Sequence, residues 1–211
     1  MFRWLSFVVL LAAFGTSAYY RWSARTKSEV IPRQREGSRF LVMRSLIAFS
    51  LVPPAMLYVV HPKWITWSLL PISEWIRWLG LIVGVLIMLV VRWVLHTLGC
   101  NVSETVLTKL HHQLITTGPY RWVRHPLYTA GIVLFCSIAL MQGSWLLLVT
   151  TGIAASFIRF IVIPVEERAL VARFEDSYEI YRKQTGRLLP RISFLTRHTT
   201  EISTTSQGVS R

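Results

Sequence analysis

Two short polar runs in an otherwise apolar chain hold the residue types that could do chemistry. The first is Gly118-Pro119-Tyr120-Arg121-Trp122-Val123-Arg124-His125-Pro126-Leu127-Tyr128, basic and aromatic, pressed against an apolar segment that opens at Pro126. The second is Pro164-Val165-Glu166-Glu167, which directly follows another apolar segment. Pro126 at the first turn of a helix is pre-organised and gives up no useful donor. A helix start also exposes unpaired N–H groups and a positive dipole end, suited to a carboxylate or phosphate. Tyr120 and Tyr128 offer aromatic faces that attract a cation. Taken singly, each run has a plain explanation. Arg121, Trp122 and Arg124 read as an interfacial anchor, and Glu166-Glu167 as solvated charge where the helix dipole favours acid. Only an architecture that brings the two runs together turns them into a site.

Composition points to a membrane architecture. The chain has 211 residues, 53% hydrophobic and only 16% charged, with a mean hydropathy of +0.46. Soluble domains carry about a quarter charged residues. A net charge of +13 would suit nucleic acid if it formed a basic domain. Here Lys and Arg fall in the gaps between apolar runs, which indicates a membrane surface and no nucleic-acid partner. Cys136 lies inside an apolar run and Cys100 in a loop of cytoplasmic type, so no disulfide framework is expected.

Five spans account for the apolar runs, making the chain an all-α polytopic membrane protein. Leu5–Tyr20 has small residues near its end, as a signal peptide would. The linker that follows, however, carries Arg21, Arg25, Lys27, Arg33, Arg35 and Arg39, which resists translocation. It therefore reads as a first span with its N-terminus outside. Phe40–Val60 is the second, with a kink expected at Pro53-Pro54, and Trp75–Leu95 the third. Pro126–Met141 and Trp145–Ile163 are the fourth and fifth, joined by a tight turn at Gln142-Gly143-Ser144. In this arrangement all of the 23 Lys and Arg except Arg3, Lys63 and Arg77 lie on the cytoplasmic side. The tryptophans cluster at span ends, as interfacial belts require.

The fourth span rises about 24 Å, short of the roughly 30 Å of hydrocarbon. Either the bilayer thins there, or the loop before it sits close to the membrane plane; the second option places His125 and Tyr128 where a lipid-side substrate and a cytosolic cofactor could meet. Because spans four and five form an antiparallel hairpin, Glu166 returns to the level of His125. Beyond it, Val165–Lys183 reads as an amphipathic surface helix with Leu170, Phe174, Tyr178 and Tyr181 on one stripe. Residues 1–97 form a three-span scaffold, 98–192 the functional core, and 193–211 a Ser/Thr-rich tail expected to be disordered.

Other constellations carry less. Cys100, His96, His111 and His112 have no common zinc spacing, so no metal is expected. Arg92 and Arg159 lie near the cytoplasmic span ends, where snorkelling is the default. No Gly-rich dinucleotide loop, P-loop or nucleophile elbow is present.

The chain does resemble a known family. The residues that carry this are Leu98-Gly99 with Asn101, His112-Gln113-Leu114-Ile115, Gly118-Pro119-Tyr120, Arg124-His125-Pro126-Leu127-Tyr128, Glu166-Glu167, Phe174, Tyr178, Tyr181 and Gly186-Arg187-Leu188-Leu189-Pro190. In order and spacing this set resembles the isoprenylcysteine carboxyl methyltransferase family and its phospholipid methyltransferase relatives, most closely the short prokaryotic members. The match runs from about Leu98 to Arg191, close to half the chain. The Arg-His-Pro-x-Tyr element alone is shared with membrane sterol reductases.

The resemblance implies an S-adenosylmethionine site. His112, Gln113, Leu114, Ile115 and Tyr120 would line it, His125, Pro126, Leu127 and Tyr128 would close it, and Glu166 would engage the cofactor amino group. His125 is then a positioning residue, since methyl transfer needs alignment and water exclusion more than a strong base. The family's carboxyl methyltransferases place an Arg four residues before the matched glutamate, where this chain has Val162. Arg159, one turn earlier, is the nearest substitute for orienting an acceptor carboxylate. Glu175 stands where the family often has Gly after the Phe. The expected function is methyl transfer from S-adenosylmethionine to a lipophilic acceptor, an isoprenylcysteine-type carboxylate or a phospholipid-like molecule, at the cytoplasmic face. Two alternatives remain open at this level. One is an NADPH-dependent membrane reductase using Lys109, Arg121 and Arg124 for a 2′-phosphate, against which the Glu166-Glu167 pair argues. The other is a non-catalytic membrane partner that keeps the fold.

Overall fold

In a computed structural model, described here over residues 1–27, 38–99 and 114–191, the chain is helical and lacks extended strands among those residues. Helix α1 (Phe2–Lys27) and α2 (Ser38–Val60) come first, α2 running on through Pro53 and Pro54. A single turn, α3 (Pro62–Ile65), leads to α4 (Glu74–Leu98). After a short 3-10 turn at Gly118–Arg121 come α5 (Pro126–Gln142), α6 (Trp145–Phe157) and α7 (Ile163–Gln184). The stretches Phe2–Ala24, Glu74–Leu98 and Trp145–Gln184 are long and apolar enough to cross a bilayer; Ser45–Val60 and Pro126–Gln142 are shorter apolar helices. Large apolar side chains such as Phe49, Trp75, Leu89 and Ile153 face outward. Such a surface is stable only in contact with lipid, so the protein is an integral membrane protein.

The interior is built around α4 and α5. Their backbones approach so closely that a Cβ on Gly80 would lie 2.8 Å from the Ser137 carbonyl oxygen. Small residues at helix contacts are how membrane helices gain packing contacts. Around this pair, Val9 and Leu10 of α1, Leu51 and Ala55 of α2, Ile138 and Met141 of α5 and Leu147 of α6 form the main core. The hairpin between α5 and α6 is sharp because Gly143 takes a left-handed conformation (φ 69°), closing α5 with bonds to Ala139 and Leu140. Ser144 then caps α6 by accepting a hydrogen bond from the Leu147 N–H.

The join between span five and the helix beyond it departs from the sequence expectation. The helix does not stop at Ile163; it continues through a π-turn, Ile158–Val162, directly into α7. Pro164 explains the wide turn. It has no N–H for the Phe160 carbonyl, and its ring would collide with that carbonyl in a regular α-helix. The turn is thus the way the chain keeps a continuous helix past a proline. A second departure is inside α7, where Glu175 has φ 45° and ψ −124° and breaks the helix into two arms. The stripe expected to lie on the bilayer is turned inward instead: Tyr178 and Tyr181 are buried, Leu170 and Phe174 half-buried.

Candidate active site

The loop before α5 is held by the segment after α7. The two run side by side as a short parallel bridge between Val123 and Gly186. The Arg124 N–H donates to the Gly186 carbonyl at 2.9 Å, the His125 N–H to the Arg187 carbonyl at 3.1 Å, and the Gly186 N–H to the Trp122 carbonyl at 3.1 Å. The Thr129 hydroxyl donates to the Leu188 carbonyl at 2.7 Å, and the Tyr181 hydroxyl to the Tyr120 carbonyl at 2.7 Å. These bonds satisfy loop backbone that would otherwise be buried unpaired. They also fix where α5 begins, with Pro126 at its first turn and His125 just before it.

Glu167 sits at the centre of the charge arrangement. Its Oε1 accepts from Arg124 Nε at 2.9 Å and its Oε2 from Arg187 Nη2 at 2.8 Å, with Glu167 and Arg124 both deeply buried. Arg124 Nη1 also donates to the Arg182 and Thr185 carbonyls. His125 Nε2 lies 3.4 Å from Glu167 Oε1, and His125 Nδ1 lies 3.6 Å from Glu166 Oε2. The first of these is an electrostatic contact rather than an aligned hydrogen bond, since Nε2 has no hydrogen-bond partner. Burial by itself would raise the Glu167 carboxyl, but the His125 ring and the Arg124 guanidinium outweigh it and lower the pKa from 4.5 to about 2. Glu167 therefore stays ionised and ties the loop, α7 and the segment after α7 into one unit.

The hairpin does bring the two polar runs together, and Glu166, not Glu167, is the acid left open. Its Oε2 is inaccessible to solvent and, though 3.6 Å from His125 Nδ1, has no hydrogen-bond partner, while its side chain is 28% exposed overall. The His125 ring stacks on the Tyr128 ring with centroids 5.8 Å apart. The Tyr120 phenol lies close enough to Glu166 that burial first, and that carboxylate second, push its pKa up. Three of the four unpaired buried side-chain atoms among the described residues are Glu166 Oε2, His125 Nε2 and the Tyr178 hydroxyl. Orphaned buried polar atoms are rare in native proteins and mark where a ligand or water completes the structure. An ammonium for Glu166 and a cation for the aromatic faces are features that S-adenosylmethionine carries, so this donor and acceptor set fits that cofactor.

The remaining residues expected at the site are placed as follows. Pro126 is buried, Leu127 is exposed, and Leu114 and Ile115 are half-buried. His112 and Gln113 lie outside the described residues, as do Cys100, His111 and Lys109. Arg159 sits in the π-turn with its guanidinium 5.4 Å from the ring of Phe160, itself 71% exposed. Val162, where the family's carboxyl methyltransferases have Arg, is buried with Ile158 and Ile163 against Tyr128 and Leu188. An open cleft of about 400 Å³ in the elbow of α7, lined by Glu167, Arg168, Arg182 and Arg187, shares Glu167 and Arg187 with this constellation and does not include Glu166, His125 or Tyr128 in its lining. Sequence reading missed the central role of Glu167 and its partner Arg187. The usable signal was scarcity: with 10 acidic residues against 23 basic ones, an acid next to a span end is well placed to be ion-paired.

Comparison with known proteins finds methyltransferases. Residues 75–177 match the family model described as phospholipid methyltransferase. Methanethiol S-methyltransferase of Mycobacterium tuberculosis is 37% identical over 71 residues, covering 34% of this chain and 28% of that protein. Protein-S-isoprenylcysteine O-methyltransferase of Schizosaccharomyces pombe is 31% identical over 96 residues, 44% of this chain and 41% of that protein. Over these stretches the chain is similar to membrane methyltransferases. The fold is similar as well. The solved structure of the eukaryotic intramembrane Ras methyltransferase ICMT, an isoprenylcysteine carboxyl methyltransferase, aligns with a TM-score of 0.51 at 21% identity, covering 77% of this chain and 55% of that one. The chain spans less than two thirds of each of these relatives. The all-α polytopic architecture expected from the sequence is thus the observed one.

Proposed function

We propose that the protein is an integral membrane S-adenosylmethionine-dependent methyltransferase acting on a lipophilic acceptor that reaches the site from the bilayer. The observation that carries this reading is the set of unpaired buried polar atoms on His125 and Glu166, beside the aromatic face of Tyr128, on residues that match the family motif. Bound S-adenosylmethionine supplies a methyl group on a sulfonium, set up for in-line displacement. Glu166 holds the ammonium of that ligand through its open Oε2, and the rings of Tyr120 and Tyr128 face the positive charge. His125, fixed between Glu166 and Glu167, keeps the Tyr128 ring in place rather than moving a proton. Leu114 and Ile115 contribute apolar lining, and His112 and Gln113 complete the set that the family motif implies. Pro126 and Leu127 begin the wall formed by α5.

The acceptor side is apolar. Val162, Ile158 and Ile163 pack behind Tyr128 without a cation at the Val162 position, and Arg159 is turned to Phe160. This favours a hydrophobic acceptor over one whose carboxylate must be held by an Arg. It also counts against the reductase alternative that Arg124, one of the cations available for a 2′-phosphate, is committed to Glu167. The site faces the cytoplasm, because the loops flanking it carry most of the Lys and Arg of the chain.

Isothermal titration of the detergent-purified protein with S-adenosylhomocysteine tests the reading. Binding is expected, weakened about tenfold or more by Glu166→Ala, the size of a lost charge-assisted hydrogen bond. A flat titration of folded wild-type protein contradicts it, and binding of NADPH in its place would favour a reductase.

A further inference from the structure

Tyr178 has no part in the assignment above, yet its burial is hard to explain without a ligand. It heads the fully buried side chains of the described residues by volume, at 1% exposure, and its hydroxyl has no hydrogen-bond partner. Buried phenol hydroxyls nearly always find a partner, and a Phe would fill the same space without one. The neighbouring tyrosine of the same arm shows the contrast. The Tyr181 ring lies 5.9 Å from that of Tyr178, and its hydroxyl is spent on the Tyr120 carbonyl.

The surroundings say what the free hydroxyl faces. Tyr178 lies within electrostatic reach of Glu167, Arg124 and Glu166; burial first, then Glu167, push its pKa above the ordinary value. It thus remains a neutral donor. The two other unpaired atoms in this region, His125 Nε2 and Glu166 Oε2, belong to residues in contact with each other. The fourth unpaired atom, Gln142 Oε1, is far away where α5 meets Ser6 of α1 and Ala55 of α2. The site end of the bundle therefore presents a carboxylate oxygen and a neutral hydroxyl, each without a hydrogen-bond partner and within electrostatic reach of each other. Arg124 and Arg187, the cations that could otherwise receive an anion there, are both paired with Glu167. A ligand group bearing an ammonium and a carboxylate a few bonds apart satisfies both open positions.

We infer that Tyr178 is a ligand-binding residue whose hydroxyl donates a hydrogen bond to the carboxylate at the amino-acid end of the cofactor, beside Glu166, which takes the ammonium. This rests on the methyltransferase reading and extends it to a residue on the far arm of α7. The kink at Glu175 then has a functional consequence: it turns that arm back so that Tyr178 reaches the site.

The test compares two ligands on one variant. S-adenosylhomocysteine and its decarboxylated analogue, in which hydrogen replaces the carboxylate, are titrated into wild-type protein and Tyr178→Phe. The expected result is that Tyr178→Phe weakens S-adenosylhomocysteine about tenfold and leaves the analogue unchanged. Tyr181→Phe, which removes a purely structural bond, should affect both ligands equally. Unchanged affinity of Tyr178→Phe for S-adenosylhomocysteine, or an equal loss for both ligands, overturns the inference while leaving the methyltransferase reading standing. A folded wild-type protein that binds neither ligand overturns both.

Discussion

At the scale of single residues, two adjacent glutamates divide the work. Glu167 is ionised, buried and held by two arginines, whereas Glu166 keeps an oxygen free. Removing one partner of a buried ion pair leaves the others uncompensated, so Glu167→Ala should cost about 3–5 kcal/mol of stability, measurable by chemical denaturation in detergent. The pH dependence has a definite sign. Because the folded-state pKa of Glu167 lies near 2 and its ordinary value is 4.5, its contribution is complete above about pH 4.5 and is lost as pH falls toward 2. Acidification from pH 5 to pH 3 should therefore lower the unfolding temperature of the wild type more than that of Glu167→Gln. An equal decline in both would contradict the assignment. The sequence shows the pair but not which member turns inward. Neighbouring residues on a helix point about 100° apart, and the π-turn forced by Pro164 shifts every later side chain away from the register a regular helix would predict.

At the scale of elements, α7 is the instructive case. Its spacing of Leu170, Phe174, Tyr178 and Tyr181 correctly announces a helix with an apolar stripe, yet the stripe covers the loop and α5 start rather than the bilayer. Periodicity reports that a face is buried, not what buries it. The break at Glu175 was marked only by a Glu where the family often has Gly. With φ 45° and ψ −124°, that position lies in a region that glycine enters freely and a side chain does not. Glu175→Gly should therefore stabilise the protein by about 1 kcal/mol, the relief of backbone strain exceeding the added chain entropy of glycine. A loss of stability in the same denaturation experiment would mean that the Glu175 side chain makes a compensating interaction. The α5–α6 hairpin was legible in full, because a short polar turn with Gly143 between two apolar runs admits few other geometries.

At the scale of the whole molecule, a lipid-embedded bundle carries a polar, charged cluster at one end. Apolar length, charge placement and the hairpin were readable from the sequence because bilayer thickness and backbone hydrogen bonding constrain membrane helices so tightly. The bridge between Val123 and Gly186 was not, since it pairs segments far apart in sequence with no periodic signal. That bridge holds the loop before α5 against the segment after α7, and Ile158 and Val162 pack against Tyr128 and Leu188 nearby. The central claim is methyl transfer to a lipophilic acceptor. It is tested most directly by incubating membranes that contain the protein with methyl-labelled S-adenosylmethionine and extracting the lipids. Label should enter the organic phase with the wild type and fall to background with Glu166→Ala; equal label in the two, or none with folded wild-type protein, would contradict the account.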